Sequence, residues 1–275
     1  MKLLACFACL ALALTSIASA ASPEFFAFDN GVGRGVWTPE KQASTLKDLG
    51  YDGISYNYTN PADLAVWIKT YKEHGLKIYG LYVYSAMDKA DHFPPGFRDA
   101  IKLLKGSETV IWMTVLAPKD KSRTYDDSDA VKVVHEMADL ASENSLRVAL
   151  YGHAGMYVAT GVDSARVARL ADRSNVGATI NLCHEFMTKN GDKLDETLKI
   201  AAPIAFRVSI NGVDVASKQY ILRLDQGDFD VAAYLKKLAA AGYSGPIGLQ
   251  CYSIKGDPYE NLKLSMQAWK KIRPQ

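Results

Sequence analysis

Cysteine is scarce in this chain: there are four in 275 residues, and two of them, Cys6 and Cys9, fall within the first ten. The other two, Cys183 and Cys251, lack CxxC spacing, so there is no signature of a structural zinc site. The HExxH zinc motif is missing as well, because His184-Glu185 is followed by Thr188 where its second histidine would stand. Charge of one sign is also lacking. The net charge is +2 and the charges are scattered, with no basic stripe to meet a phosphate backbone, so nucleic acid is not expected as a partner. Beyond residue 20 no apolar run reaches membrane-spanning length, and no span is expected in the mature protein. Nor does any Pro/Gly/Ser-rich linker or low-complexity stretch divide the chain.

The one long apolar run comes first. Met1 and Lys2 precede Leu3 to Leu14, and Ala18-Ser19-Ala20 is a small-x-small cleavage pattern. Residues 1–20 therefore read as a signal peptide, too short for a membrane span, with residues 21–275 secreted or periplasmic. Lipidation at Cys6 or Cys9 is disfavoured, since almost no charged or apolar stretch precedes either. An oxidising compartment would permit a Cys183–Cys251 disulfide. Both residues, however, lie in apolar runs assigned below to different strands, which favours two buried free thiols.

The rest of the chain alternates short β-rich runs with longer amphipathic ones. The strands expected are Glu24 to Asp29, Gly53 to Tyr56, Lys77 to Tyr84, Thr109 to Leu116, Arg147 to Tyr151, Val176 to Leu182, Ile204 to Ile210 and Pro246 to Cys251. Each precedes a helix, the first opened by Thr38 as N-cap with Pro39 at the first helical position. Eight such units in about 255 residues are the period of a single-domain α/β (β/α)8 TIM barrel, and the count argues against an open doubly wound sheet. Gly31-Val32-Gly33-Arg34-Gly35 follows a strand as a dinucleotide loop would, but position 36 is valine and the next helix opens separately at Thr38. These glycines are read as a flexible first loop, without a nucleotide cofactor.

In such a barrel the chemistry collects at the C-terminal ends of the strands. Asp29-Asn30, Tyr56-Asn57, Tyr82 and Tyr84, Tyr151-Gly152-His153, Asn181 to Glu185, Ser209 to Gly212 and Gln250 to Tyr252 fall there. Two of the five histidines, His153 and His184, sit at consecutive strand ends. His74 and His135 lie in or at the ends of helices, where surface or packing roles are ordinary, and His92 lies in a loop. Tyr56, Tyr82, Tyr151 and Tyr252 are placed either to stack on a sugar ring or to pack the barrel.

Tyr151-Gly152-His153, Asn181-Leu182-Cys183-His184, Ser209-Ile210-Asn211-Gly212, Gly227-Asp228-Phe229-Asp230 and Gly242 to Gln250, in this order, resemble the xylose isomerase-like sugar isomerase/epimerase superfamily. The resemblance implies a carbohydrate substrate and a divalent metal held by carboxylates and histidine: Glu-x-His on strand five, Asp-x-x-His on strand six and a glutamate ending strand eight. Here His153 and His184 match, while Tyr151, Asn181 and Gln250 stand where the three acids would be. Hard ions such as Mg²⁺ and Mn²⁺ favour carboxylate oxygen, so the substitutions weaken that site. One divalent ion (Zn or Mn) on His153 and His184 and a metal-free site are both open readings.

Without the acids, His153 and His184 are the acid/base candidates and Tyr151 a donor to a developing enolate oxygen. Asn181, Asn211, Gln250, Tyr252, Tyr56 and Tyr82 are the candidates for binding substrate. Glu185 and Asp29 remain as orienters of an imidazole or as solvated carboxylates. Three functions fit these residues: a sugar isomerase or epimerase moving a proton beside a carbonyl, a lyase or hydratase on 3-keto-glycosides, and a non-catalytic carbohydrate-binding barrel. A zinc-dependent AP endonuclease would need more acidic and histidine ligands and a basic surface.

Overall fold

Strands that are apolar on both faces need cover on both, and a closed barrel wrapped in helices provides it. The computed structural model describes residues 22–119 and 123–274; the leader assigned to residues 1–20 lies outside them. In chain order the elements are β1 (Phe25–Phe28), α1 (Pro39–Leu49), β2 (Gly53–Asn57), α2 (Pro61–Glu73), β3 (Lys77–Ala86) and α3 (Phe97–Ala100, continued by a 3-10 turn Ile101–Leu104). Then come β4 (Val110–Leu116), α4 (Asp127–Ser142), β5 (Arg147–Leu150), α5 (Gly161–Ala171), β6 (Val176–Asn181), α6 (Leu182–Met187) and α7 (Leu194–Ala201). The last are β7 (Ala205–Ile210), β8 (Gly212–Asp214), β9 (Gln219–Leu222), α8 (Val231–Ala240), β10 (Ile247–Leu249) and α9 (Pro258–Ile272). The eight barrel strands close in the order β1-β10-β7-β6-β5-β4-β3-β2, all parallel. No helix among the described residues is long and apolar enough to cross a membrane.

The helix starts follow local chemistry. Thr38 caps α1 by accepting from the Lys41 amide, with Pro39 in the first turn. Asn60 does the same for α2, while Asp126 with Asp129 and Thr160 with Asp163 form reciprocal capping boxes on α4 and α5.

Two elements differ from the sequence expectation. The sixth strand was expected to carry His184 and Glu185 on its end, but it stops at Asn181 and the chain turns at once into α6. Residues Leu182 to Phe186 are all buried, so the run has no polar phase to separate strand from helix. Cys183 therefore lies in a helix; it and Cys251 are free and buried. The second difference is the antiparallel β8–β9 hairpin, an insertion between β7 and α8. Gly212 sits where a Cβ would lie 2.1 Å from the Arg223 carbonyl oxygen, so the hairpin's return strand depends on that glycine. The first loop is also tighter than expected. A Cβ on Gly31 would lie 2.0 Å from the Cys251 Cβ, and one on Gly33 2.4 Å from the Trp37 ring; at Gly35 nothing lies within 4 Å.

The barrel interior and the layer between barrel and helices form separate apolar clusters. Inside the barrel Phe26, Phe28, Tyr79, Trp112 and Tyr151 make a column of rings. Phe26 stacks on Tyr79 at 4.7 Å between centroids, Phe28 meets Trp112 at 5.0 Å, and Trp112 meets Tyr151 at 5.4 Å. Glycines on neighbouring strands make the room: a Cβ on Gly248 would stand 2.7 Å from both Phe26 and Phe28, and one on Gly80 2.9 Å from Trp112. At the lower end the buried Arg207 donates to the carbonyls of Tyr79, Phe206 and Glu108.

Gly248→Ala is therefore expected to overpack the column and destabilise the fold by about 1–3 kcal/mol. Urea unfolding would read this as a lower midpoint with an unchanged slope; an unchanged midpoint would mean the rings yield freely.

Candidate active site

The top of the ring column opens into a cavity of about 310 Å³ at the C-terminal ends of the strands. Of the residues singled out from sequence, Tyr56, Tyr82, Tyr151, His153, His184, Gln250 and Tyr252 line it. Asn181 and Asn211 do not, and their expected hold on substrate is corrected: both are buried in structural bonds. Asn181 Nδ2 donates to the Gly152 carbonyl at 2.8 Å and its Oδ1 accepts from the Ser209 hydroxyl at 2.9 Å. Asn211 Nδ2 donates to the carbonyls of Gly212 and Tyr220, both at 2.7 Å, which ties the hairpin to the barrel. Tyr56 reaches the cavity but is held from outside, its ring 4.6 Å from Trp67 of α2 and its hydroxyl 2.9 Å from Thr59 Oγ1. Tyr82 is packed edge-on between Tyr84 and Tyr151.

The two imidazoles meet. Their ring centres are 4.0 Å apart and tilted by 39°, and both stand beside the Tyr151 ring. His153 Nδ1 lies 2.8 Å from the Ala154 carbonyl oxygen and must carry the proton there, leaving Nε2 as a lone pair. His184 Nδ1 accepts from the Ala154 amide at 3.4 Å, so its proton is on Nε2. One loop residue thus sets opposite tautomers on two touching rings. Burial holds both pKa values down, and the neighbouring His153 adds to the effect on His184, which falls to about 3. The other three histidines bond backbone carbonyls: His74 that of Thr70, His92 that of Ala86 and His135 that of Ala171.

The remaining carboxylates have distinct fates. Asp29, at the end of β1, is buried in the cavity wall and paired with Arg34 through both oxygens, and its Oδ2 also accepts from the Asn57 amide at 3.1 Å. Burial raises its pKa against the pull of Arg34. Arg34 is the functional candidate that sequence reasoning missed, hidden in a loop read only for its glycines. Glu185 is neither solvated nor bonded to an imidazole. It accepts from the Gly161 amide at 2.7 Å and from Asn190 Nδ2 at 2.6 Å, locking α6 to the start of α5.

A family model described as xylose isomerase-like TIM barrel matches residues 43–272. The chain belongs to this family. No curated protein matches it in sequence. Among solved structures, D-allulose 3-epimerase from Methylomonas sp., in complex with D-allulose, superposes with a TM-score of 0.73 at 17% identity, covering 91% of this chain and 97% of that one. The 3-keto-D-glucoside 4-epimerase of E. coli gives 0.68 at 14% identity, covering 90% and 99%. A fusion of a xylose isomerase-like barrel with a 4-hydroxyphenylpyruvate dioxygenase gives 0.68 at 16%; the chain spans 44% of it. At these identities the likeness is one of fold.

The residues present do not fit the divalent metal that the family resemblance implies. Gln250 Oε1 already accepts from Asn30 Nδ2 at 2.7 Å and from the amides of Cys251 at 2.9 Å and Tyr252 at 3.0 Å, a shell of donors that repels a cation. Asn181 Oδ1 is taken by Ser209. Two imidazoles on one tetrahedral zinc, at about 2.0–2.1 Å from it, would hold their ring centres roughly 5 Å apart, wider than the pair seen here. Among the described residues no three His, Cys, Asp or Glu side chains form a metal-holding group.

An unfolded histidine takes its proton near pH 6.5, and folded His184 only near 3. Between these values the unfolded chain binds more protons, so stability falls as pH falls through that window. His184→Asn should abolish about 2–3 kcal/mol of the loss between pH 7 and 4.5, measured by urea unfolding at both values. An equal acid loss in both proteins would refute the neutral buried imidazole.

Proposed function

We propose that this chain is an exported carbohydrate-active enzyme of the isomerase or epimerase type, moving a proton on a carbon beside a sugar carbonyl without a metal ion. The observation that carries this reading is the imidazole pair in the cavity, with one free lone pair and one N–H on rings in contact. His153 Nε2 takes the proton from the carbon and becomes imidazolium, His184 Nε2–H supplies one as the enolate is reprotonated, and transfer of the proton from His153 to the imidazolate left on His184 returns both rings to neutrality. Because both rings stay neutral near pH 7, neither must first lose a proton.

The charge that develops on the carbonyl oxygen needs donors. Arg34 is the cation of the cavity wall, and the Tyr151 hydroxyl, whose pKa burial pushes far up, remains a protonated donor. Gln250 is fixed by the bonds to its oxygen, which leaves its amide N–H groups to meet substrate hydroxyls or Tyr151. Asp29 neutralises Arg34, so the wall suits an uncharged sugar better than a phosphorylated one. Export, supported by the leader-like first 20 residues, agrees, since sugar phosphates are metabolites of the cell interior.

The same enolisation serves cleavage of a 3-keto-glycoside: the proton goes to His153, the bond to the β-oxygen breaks, and His184 protonates the departing alcohol. A binding barrel is the second reading, favoured by the neutral side chains at Tyr151, Asn181 and Gln250. Incubation in D₂O with D-allulose and with 3-keto-D-glucosides, followed by ¹H NMR, separates these readings. Deuterium should enter beside the carbonyl, and His153→Ala should slow entry by about 10²–10⁴-fold. Exchange that proceeds unchanged in both His153→Ala and His184→Ala variants would defeat the assignment. Ligand shifts with no exchange above buffer would favour the binding barrel, and released aglycone would mark a lyase.

A further inference from the structure

The cavity is polar low down and largely apolar at its rim. Its depth holds the imidazoles, Gln250 and the Asp29 carboxylate, whereas Tyr84, Met187 and Tyr252 line its mouth at 45%, 40% and 59% exposed, and the Arg34 side chain, 42% exposed, shares that opening. The described residues include nine large hydrophobic side chains this exposed, and three of them converge on this one opening. Clustering of that kind, beside polar groups in a concave site, marks a binding surface more than scattered exposure does.

Their placement follows from topology. Tyr84 rises from the end of β3, Met187 from the end of α6 just after β6, and Tyr252 from the turn after β10. In the closed order these strands stand three, two and three places apart, so the groups are spread almost evenly round the mouth. None depends on the barrel for its position alone. Tyr84 is braced edge-on by Tyr82 at 5.1 Å, and Met187 ends a helix whose Phe186 stacks on Tyr220 of the hairpin at 5.8 Å. Tyr252 is set by its own amide, which donates to Gln250 Oε1. The residue that fixes the depth of the site thereby fixes one wall of the rim.

We propose that this rim is an outer subsite for a ring attached to the reacting sugar, so that the substrate is a glycoside with a cyclic aglycone rather than a free monosaccharide. The proposal rests on the carbohydrate reading of the cavity. A hydroxylated ring is held by the polar depth, and the ring linked to it is gripped by apolar faces on three sides. A free sugar filling the depth would leave those faces to water.

The test compares binding, not turnover, so that it is independent of the catalytic assignment. Paired methyl and phenyl β-glycosides of glucose, galactose, mannose and xylose would be titrated by calorimetry against the wild type, Tyr252→Ala and Tyr84→Ala. For the sugar that binds, the phenyl glycoside should bind more tightly than the methyl, and each variant should lose roughly three- to tenfold of phenyl-glycoside affinity with the methyl glycoside unchanged. Equal affinities for the two members of a pair, or equal losses for both in the variants, would overturn the subsite and leave the carbohydrate reading standing. Failure of every glycoside to bind the folded protein would overturn both.

Discussion

Rings filling the inside of the barrel set the height at which chemistry can begin. Phe26 and Phe28 on β1 point inward against Gly248, and Trp112 points inward against Gly80. Large side chains on some strands and bare backbone on their neighbours solve the same packing problem that layered aliphatic side chains solve in other barrels. The column closes the lower barrel, and Tyr151 is both its uppermost ring and the floor on which the imidazoles rest. Without it the two histidines would lose part of their apolar bed, and with it part of the burial that holds their pKa values down.

The electrostatics of the site follow from the same burial. Where the family resemblance leads one to expect carboxylates, this chain has a phenol and two amides, and both amides are committed to local hydrogen bonds. Asn181 cross-links β5, β6 and β7, and Gln250 gathers Asn30 and the turn after β10. Three uncompensated carboxylates in so dry a place would need a cation; amides satisfied within the protein do not. The charge that remains is a single ion pair, Asp29 with Arg34, which keeps the cavity wall near neutrality.

The fold was legible from residue patterns because its signals are local. Thr38-Pro39 opens α1 at the residues a propensity argument names, and Asn60-Pro61 and Asp257-Pro258 open α2 and α9 by the same chemistry. The site was legible in part. His153 and His184 were both expected at strand ends and both line the cavity, but His184 stands on a helix that a uniformly buried run conceals. Arg34 escaped notice because its role depends on a partner at the end of the preceding strand, and nothing in Gly33-Arg34-Gly35 tells a bound arginine from a solvated one.

The sequence by itself determined the eight-fold alternation, the family and the neutral character of the strand ends, since composition and periodicity act over a few residues at a time. Only the tertiary structure decided which of those polar ends face the cavity. Asn181, Asn211 and Glu185 turned out to be braces, whereas Arg34, Met187 and Tyr84 joined the opening. An inward-facing side chain has either a partner within the wall or a share of the cavity, and that choice depends on neighbours brought together from strands far apart in the chain.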